Sequence, residues 1–397
     1  MPGPLLSIFL IVLVDIFGMT LVIPLQAIYA ERFGASALQA TLLVSVYAAC
    51  QLVSGPILGR LSDRFGRKPL LLLSQAGTCL GFVVMAKAPS LWVLYVARAI
   101  DGATAGNLSL AQAYIADTTK PEARTRSFAL IGIAFGLGFF VGPFATAWLV
   151  RYGLAAPIWG AAALSATSIL CTLVLLPGGP PPANAGAAGP GGRRPSIFAF
   201  DVYRDVFSRP LLGPLLGQFF AYMMSFSLFV SGFALFAERR LTWRGAPFTP
   251  REVGILFAYS GFLGIVLQGG LIGRLVRRHG EAALALAGFA AIVVADLGLV
   301  VVEHVPFLVA VATVSAFGTG VVRPTLTGLI SRTARPDEQG TVLGVTAALS
   351  STSAIIAPAI AGWLIERGAL GLWPLTAAAA AAMGGLSLAR NRARRPA

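Results

Sequence analysis

Five ionisable side chains stand inside long apolar stretches of this chain: Asp15, Arg98, Asp101, Asp296 and Arg323. A charge at the centre of a hydrocarbon layer costs at least about 2.5 kcal/mol, so each needs a partner, water or a function. A desolvated carboxylate holds a proton and a hydrated one releases it, which is the chemistry of moving protons across a barrier. Asp15 and Asp296, and with them Asp101, are the candidates for it. Arg98 and Asp101 stand at i, i+3; they either neutralise each other or leave Arg98 open to substrate or proton. Arg323, within Gly318-Thr-Gly320-Val-Val-Arg323-Pro324, either snorkels to the nearer surface or holds an anion.

The neutral polar residues Asn107, Gln112, Gln218, Tyr222 and Gln268 are candidates to orient a bound molecule, or else to bond helix to helix. Catalysis has no support. The two histidines, His279 and His304, lie near loops, and there is no H-E-x-x-H, nucleophile elbow or P-loop. The run Gly136-Leu-Gly138-Phe-Phe-Val-Gly142 has the wrong spacing for a dinucleotide fingerprint, and no cofactor or metal is implied.

The elements that must position these residues follow from composition. Of 397 residues 56% are hydrophobic and only 12% charged, with mean hydropathy +0.79. A soluble domain carries about 25% charged residues. Apolar stretches of about 20 residues, enough to cross about 30 Å of hydrocarbon as helix, separate the charge clusters. Twelve spans are expected, over 5–30, 38–59, 69–87, 91–117, 126–150, 155–176, 210–237, 252–273, 282–303, 305–331, 340–365 and 368–388. The first is too long for a cleavable signal and carries Asp15 in its middle. Between the sixth and seventh, Pro177-Gly-Gly-Pro-Pro-Pro182 opens a Pro/Gly-rich linker. The chain therefore reads as a six-helix bundle (1–176), a cytoplasmic linker (177–209) and a second six-helix bundle with a short basic tail (210–397).

The net charge of +14 comes from arginines scattered over short loops, without the basic stripe and interleaved aromatics of a nucleic-acid binder. Of the thirty basic residues, twenty fall on the side of the termini and eight on the other, which places both termini in the cytoplasm. The loop 238–251 is the weak point, holding half of the eight. Cys50, Cys79 and Cys171 lie in apolar stretches and read as small core residues.

The halves are related. A shift of 215 carries Pro121 to Pro336, Pro143 to Pro358 and Trp148-Leu149 to Trp363-Leu364. Gly59-Arg-Leu-Ser-Asp-Arg64 has a degenerate counterpart in Gly269-Gly-Leu-Ile-Gly-Arg274, at a shift of 210. Parallel six-helix repeats are the pattern of one large class of secondary transporter, with substrate bound near the midplane.

Between spans two and three stands Gly59-Arg-Leu-Ser-Asp63-Arg64-Phe-Gly66-Arg67-Lys68-Pro69. It resembles the cytoplasmic signature of the major facilitator superfamily, G-x-L-x-D-R-x-G-R-R/K, with every defining position filled. Gly59 suits close helix approach and Gly66 a tight turn. Asp63 can pair with Arg64 or Arg67, or face a helix N-terminus of the other half, as a conformational latch. Within the superfamily the chain is similar to the tetracycline-resistance type of drug–proton antiporter and its eukaryotic tetracycline-transporter-like relatives. Asp15, Gln51, Tyr114-Ile-Ala-Asp117, Arg98 and Ala295-Asp296 fall where that group has such residues, and so does the stretch Pro336…Gln339-Gly340…Gly344. Gly138-Phe-Phe-Val-Gly142-Pro143 resembles its fifth-span antiporter motif, whose glycines and proline kink the helix at the interface of the halves. Two positions depart from the group: Gly81 stands for an acidic residue of span three, and Thr146-Ala147 for paired glycines.

The resemblance implies an all-α membrane protein of twelve transmembrane helices in two pseudo-symmetric bundles. It would work as a monomer by alternating access in a bacterial inner membrane. The implied function is proton-coupled efflux of small apolar or amphiphilic compounds; the alternative is a carrier of organic anions or lipid-like metabolites.

Overall fold

The computed structural model describes residues 3–118, 121–176, 200–335 and 338–393. The Pro/Gly-rich stretch from Pro177 to Arg194, Pro336, and the tail arginines Arg394 and Arg395 lie outside the described residues, as does the side chain of Asp117. In chain order the helices are α1 (Gly3–Val22), α2 (Gln26–Glu31), α3 (Ala37–Phe65), α4 (Arg67–Ala86), α5 (Leu91–Ala103), α6 (Asn107–Thr118), α7 (Pro121–Leu149) and α8 (Ala156–Leu175). After these come α9 (Phe200–Ser208), α10 (Leu212–Arg240), a hairpin of β1 (Thr242–Trp243) and β2 (Ala246–Pro247), α11 (Pro250–Val266), a π-helical turn over Leu267–Leu271, and α12 (Ile272–His279). The chain ends with α13 (Glu281–Val300), α14 (Val305–Thr333), α15 (Gln339–Glu366) and α16 (Leu372–Ala393).

Among the described residues ten helical stretches are long and apolar enough to cross a membrane. Two further expected spans are interrupted. The first stops at Val22 and resumes as α2, and the fourth breaks at Thr104–Gly106 into α5 and α6. Part of the expected linker is ordered too. Residues 200–208 form the amphipathic α9, which sinks Val206 into the core beside Leu212 and Leu216. Arg209, just beyond it, pairs with Glu338 at 2.5 Å and with Asp205 at 2.6 Å. That contact holds the Glu338 carboxyl below its usual range, so its contribution is present above the ordinary glutamate value and is lost as acid protonates it.

The chain packs as two compact units. One comprises residues 1–35, 46–193 and 250–258, the other 36–45, 194–249 and 259–397. Each thus includes a short piece of sequence from the other half: the first turns of α3 belong with the second unit, those of α11 with the first. The two are built alike. In the first, α1 packs on α7 and α8, and α4 on α8 and α5; in the second, α10 packs on α15 and α16, and α13 on α16 and α14. Side chains such as Ile11, Leu71 and Ile115 form the core of the first, and Leu216, Phe289 and Val322 that of the second.

The repeat also shows in the backbone, and there it corrects the spacing expected for the signature loop. Gly66 enters α4 with φ 95° and ψ 159°, and Gly280 enters α13 with φ 79° and ψ 157°. Both helices have 20 residues. The structural counterpart of Gly59-Arg60 is therefore Gly273-Arg274, and that of Arg64-Phe-Gly66 is Arg278-His-Gly280. The shift of 210 matched glycines that instead sit in the π turn. A side chain at either φ is strained by about 1–3 kcal/mol. Gly66→Ala and Gly280→Ala should each lower the melting temperature of the purified protein. Gly132→Ala, in open space on α7, should leave it unchanged or raise it, because alanine favours helix by up to about 1 kcal/mol. Equal losses in all three variants would refute the backbone argument.

Candidate functional site

Arg98 and Asp101 lie one turn apart on α5, both buried, and the guanidinium Nη2 pairs with Asp101 Oδ2. Arg98 Nη1 donates to Gln26 Oε1 at 3.3 Å, and the guanidinium lies over the rings of Tyr47 at 5.0 Å and Phe82 at 5.9 Å. α2, α3, α4 and α5 thus each contribute a group around one cation. Two donors stay unused there: Arg98 Nε and Gln26 Nε2 are buried with no acceptor among the described residues.

Asp15, on α1, lies within electrostatic reach of Asp101 and of Tyr47. Both its carboxylate oxygens are buried and neither makes a hydrogen bond of good geometry. The neighbouring hydroxyl, Ser168, accepts from Gln75 Nε2 at 2.7 Å and is turned to the Ile11 carbonyl at 3.4 Å. No cation pairs with this carboxyl among the described residues.

Small residues bring these helices together. A Cβ on Gly81 would stand 3.0 Å from Asp101 Cβ and 3.1 Å from the Ala97 carbonyl; one on Gly102 would strike the Tyr47 carbonyl, and one on Gly77 would strike Thr104. The broken span is braced where it unwinds. Ser74 Oγ on α4 donates to the Thr104 carbonyl and accepts from Gly106 N–H at 2.9 Å, while Ser54 donates to the Gly102 carbonyl at 2.8 Å. Backbone groups freed in a non-helical stretch at membrane depth must find such partners.

In the second unit Asp296, on α13, is 3% exposed and faces the Ser225 hydroxyl at 3.5 Å. Tyr222 donates to the Thr319 carbonyl at 3.3 Å and feels the charge of Arg323, which is exposed on α14. Gln218 is buried and bonds Ser387 on α16 at 3.2 Å, a helix-to-helix bond. Gln268 is exposed on the π turn, and Gln112 is exposed on α6. Gln51 bonds Tyr47 Oη at 3.3 Å, and Asn107 keeps a buried, unpartnered Oδ1 at the start of α6. The first unit therefore gathers Asp15, Arg98, Asp101 and Gln51 around Tyr47, whereas the polar residues of the second are dispersed.

At the signature loop Asp63 pairs with Arg67 at 2.5 Å, and Arg67 also donates to Ser62 Oγ at 2.5 Å. Arg64 instead lies over Phe65, 5.2 Å from the ring centre. On α7, a Cβ on Gly138 would meet Ile16, and one on Gly142 would meet Thr20, so the close approach these glycines allow is to α1. Gly254 on α11 sits where a Cβ would be 2.6 Å from the Pro143 carbonyl.

The sequence profile of the Major Facilitator Superfamily matches residues 8–295 and 246–396. The chain belongs to that superfamily. It is 32% identical over 322 residues to the tetracycline resistance protein, class C, of Escherichia coli, spanning 80% of this chain and 78% of the relative. To multidrug resistance protein 2 of Bacillus subtilis (strain 168) it is 26% identical over 370 residues, covering 91% and 89%. The crystal structure of the human organic anion transporter MFSD10 has the same fold, with TM-score 0.72 and 24% identity over 98% of this chain and all of that one.

As a superfamily member this chain is an integral-membrane secondary transporter, and its departures from the resistance-type pattern have local causes. At Gly81 even a Cβ would press on Asp101 and the Ala97 carbonyl, so a larger side chain there would require Asp101 to shift. Thr146 donates to the Leu21 carbonyl at 2.6 Å, tying α7 to α1 at a position where the resemblance implies glycine. Gln26, Phe82 and Ser168 were missed in the sequence because their partners lie far along the chain; Gln26 and Ser168 had one signal, a polar residue within an apolar stretch, and Phe82 had none.

Removing one member of the buried ion pair should be worse than removing both. Arg98→Met or Asp101→Leu alone should cost about 3–5 kcal/mol by leaving an unpaired charge. The double variant should cost less than either, measured by thermal unfolding of the purified transporter. Additive losses would show that the pair is not coupled.

Proposed function

We propose that the transporter exports small apolar or amphiphilic compounds from the cytoplasm in exchange for protons, with Asp15 carrying the proton. The observation behind this reading is the buried, unpartnered carboxylate of Asp15 within reach of the Arg98–Asp101 pair. When Asp15 is protonated, the cluster holds one cation and one anion and is neutral. When Asp15 ionises, it becomes a second anion competing for Arg98. That competition lets proton binding and the arrangement of α1 and α5 bias each other. Asp296, facing only the Ser225 hydroxyl, is the corresponding carboxylate of the second unit. In this reading Gln51 and Asn107 orient substrate from the first unit, and Gln112, Gln218, Tyr222, Gln268 and Arg323 supply the remaining polar contacts. Gly138, Gly142 and Pro143 shape α7 for the rocking motion. Both termini lie in the cytoplasm of a bacterial inner-membrane protein that works as a monomer. The similarity to tetracycline and multidrug resistance proteins names the compounds to try first.

A second reading rests on the two unused donors, Arg98 Nε and Gln26 Nε2. Donors without acceptors suit an anionic substrate, and the MFSD10 likeness of fold is in keeping with it. One experiment separates the readings: flux in proteoliposomes of cationic, neutral and anionic compounds, with and without an imposed pH gradient. Acceleration of a cationic or neutral compound, lost in Asp15→Asn or Asp296→Asn while exchange persists, is the expected outcome. Undiminished gradient-driven flux in Asp15→Asn would remove Asp15 from the mechanism, and flux confined to anions and indifferent to the gradient would favour the second reading.

Asp63 acts, on the same proposal, as part of a cytoplasmic latch through Arg67, with Gly59, Arg64 and Gly66 shaping the loop. Asp63→Asn should slow turnover about tenfold or more while leaving substrate affinity unchanged, measured as flux and binding on one preparation. A tenfold loss corresponds to about 1.4 kcal/mol at the conformational step. Normal turnover would rule the latch out.

A further inference from the structure

The six tryptophans of this chain are distributed to one side. Trp373 is buried and donates to the Leu228 carbonyl at 3.0 Å. The other five are between 43% and 74% exposed: Trp92 opens α5, Trp148 lies near the end of α7, Trp159 near the start of α8, Trp243 on the hairpin and Trp363 near the end of α15. By the alternation of spans, all five stand at helix ends or loops on the face opposite the chain termini. Four carry a cation over the indole. Lys87 lies over Trp159 at 5.9 Å, Arg151 over Trp148 at 5.1 Å, Arg244 over Trp243 at 5.8 Å and Arg367 over Trp363 at 4.3 Å.

These four cations differ from several of those at the opposite face, although Arg64 there is likewise stacked, over Phe65. There Arg67, Arg209 and Arg332 each pair with a carboxylate, and Lys68 closes on the Leu173 and Leu176 carbonyls. None of the four stacked cations makes an ion pair among the described residues, and all are exposed. Arg367 follows Glu366, but that carboxylate accepts from Ser36 Oγ at 2.6 Å and Leu38 N–H at 3.0 Å. The hairpin even places Arg244 at φ 55°, a conformation that Asn or Gly adopts with less strain, and this residue is the one over Trp243. An exposed indole settles at the level of lipid headgroups, where its ring has both an apolar and a wet side. A cation fixed on that ring and lacking an ion-pair partner among the described residues keeps its charge open to an anion at that level.

We propose that the four tryptophan–cation pairs are binding sites for anionic phospholipid in the leaflet facing away from the termini, the cation taking the headgroup phosphate and the indole setting its depth. A zwitterionic lipid fits less well, because its own ammonium offsets the attraction. The eight basic residues that run against the charge bias of this chain would thereby include four whose counter-ions come from the membrane.

Brominated acyl chains quench a nearby indole, and the full chain reconstituted in bilayers gives the readout without any transport assay. Brominated phosphatidylglycerol, diluted in phosphatidylcholine, should quench more than brominated phosphatidylcholine at the same content, as expected from about fivefold enrichment at each site. Combining Lys87→Gln, Arg151→Gln, Arg244→Gln and Arg367→Gln should make the two lipids equivalent, whereas Trp92→Phe, which removes the one exposed indole without a cation, should leave the difference intact. Should the fourfold variant not fold, about 0.5 M salt should reduce the difference in the unaltered protein, since exposed charges are screened within a few ångströms there. Equal quenching by both lipids in the unaltered protein, or a preference that survives the four substitutions or the salt, would overturn the proposal.

Discussion

The arrangement of the first unit depends on one constraint: the Arg98 guanidinium has been taken out of water and must be neutralised and surrounded where it stands. Asp101 one turn away supplies the charge, Gln26 an acceptor, and Tyr47 and Phe82 supply ring faces. Those four groups come from four helices, so the requirements of one cation fix how α2, α3, α4 and α5 meet. The glycines at 77, 81 and 102 follow from it, since each stands where a larger residue would push a helix off the cluster. Within lipid there is little hydrophobic drive to press helices together, and close backbone approach plus a few polar bonds has to suffice. The same cluster that organises the packing leaves Asp15 without a partner, so the structural centre and the chemically responsive group are neighbours.

The second unit repeats the packing scheme with different chemistry. α10, α13, α14, α15 and α16 meet in the order of α1, α4, α5, α7 and α8, and a glycine of positive φ enters the corresponding helix in each. Its buried acid, Asp296, faces a serine hydroxyl and pairs with no arginine among the described residues, and Gln218 and Tyr222 are engaged with Ser387 and with the Thr319 carbonyl. One scaffold thus holds a buried ion pair in one copy and a lone buried carboxyl beside a serine in the other.

Most of this architecture was legible in the residues. Span lengths and the loop signature were plain because both are local: about twenty apolar residues announce a span, and Gly59 to Pro69 stand together. The break at Thr104–Gly106 was not legible. Thr-Ala-Gly is compatible with a helix, and what stabilises the unwound form is Ser74, thirty residues earlier on another helix. The register of the second loop was misjudged for a related reason: a glycine-rich string matched the motif by composition, while the counterpart defined by backbone angle, Gly280, lies four residues off that alignment. In the site, the i, i+3 pairing of Arg98 and Asp101 could be read directly. The engagement of Gln218 with α16 could not, because a lone glutamine in an apolar helix looks the same whether it faces a neighbour or a ligand.

The broken fourth span bears on how the chain enters its membrane. α5 has 13 residues and α6 has 12, lengths of about 20 Å and about 18 Å, so neither crosses the hydrocarbon alone. α5 also carries a charged pair that an isolated segment would bring into lipid at a penalty. The groups that offset it, on α2, α3 and α4, are all synthesised earlier, and Ser74 is in place before Thr104 leaves the ribosome. Insertion of this span is therefore an assembly step, completed against helices already present rather than by partitioning on its own hydrophobicity.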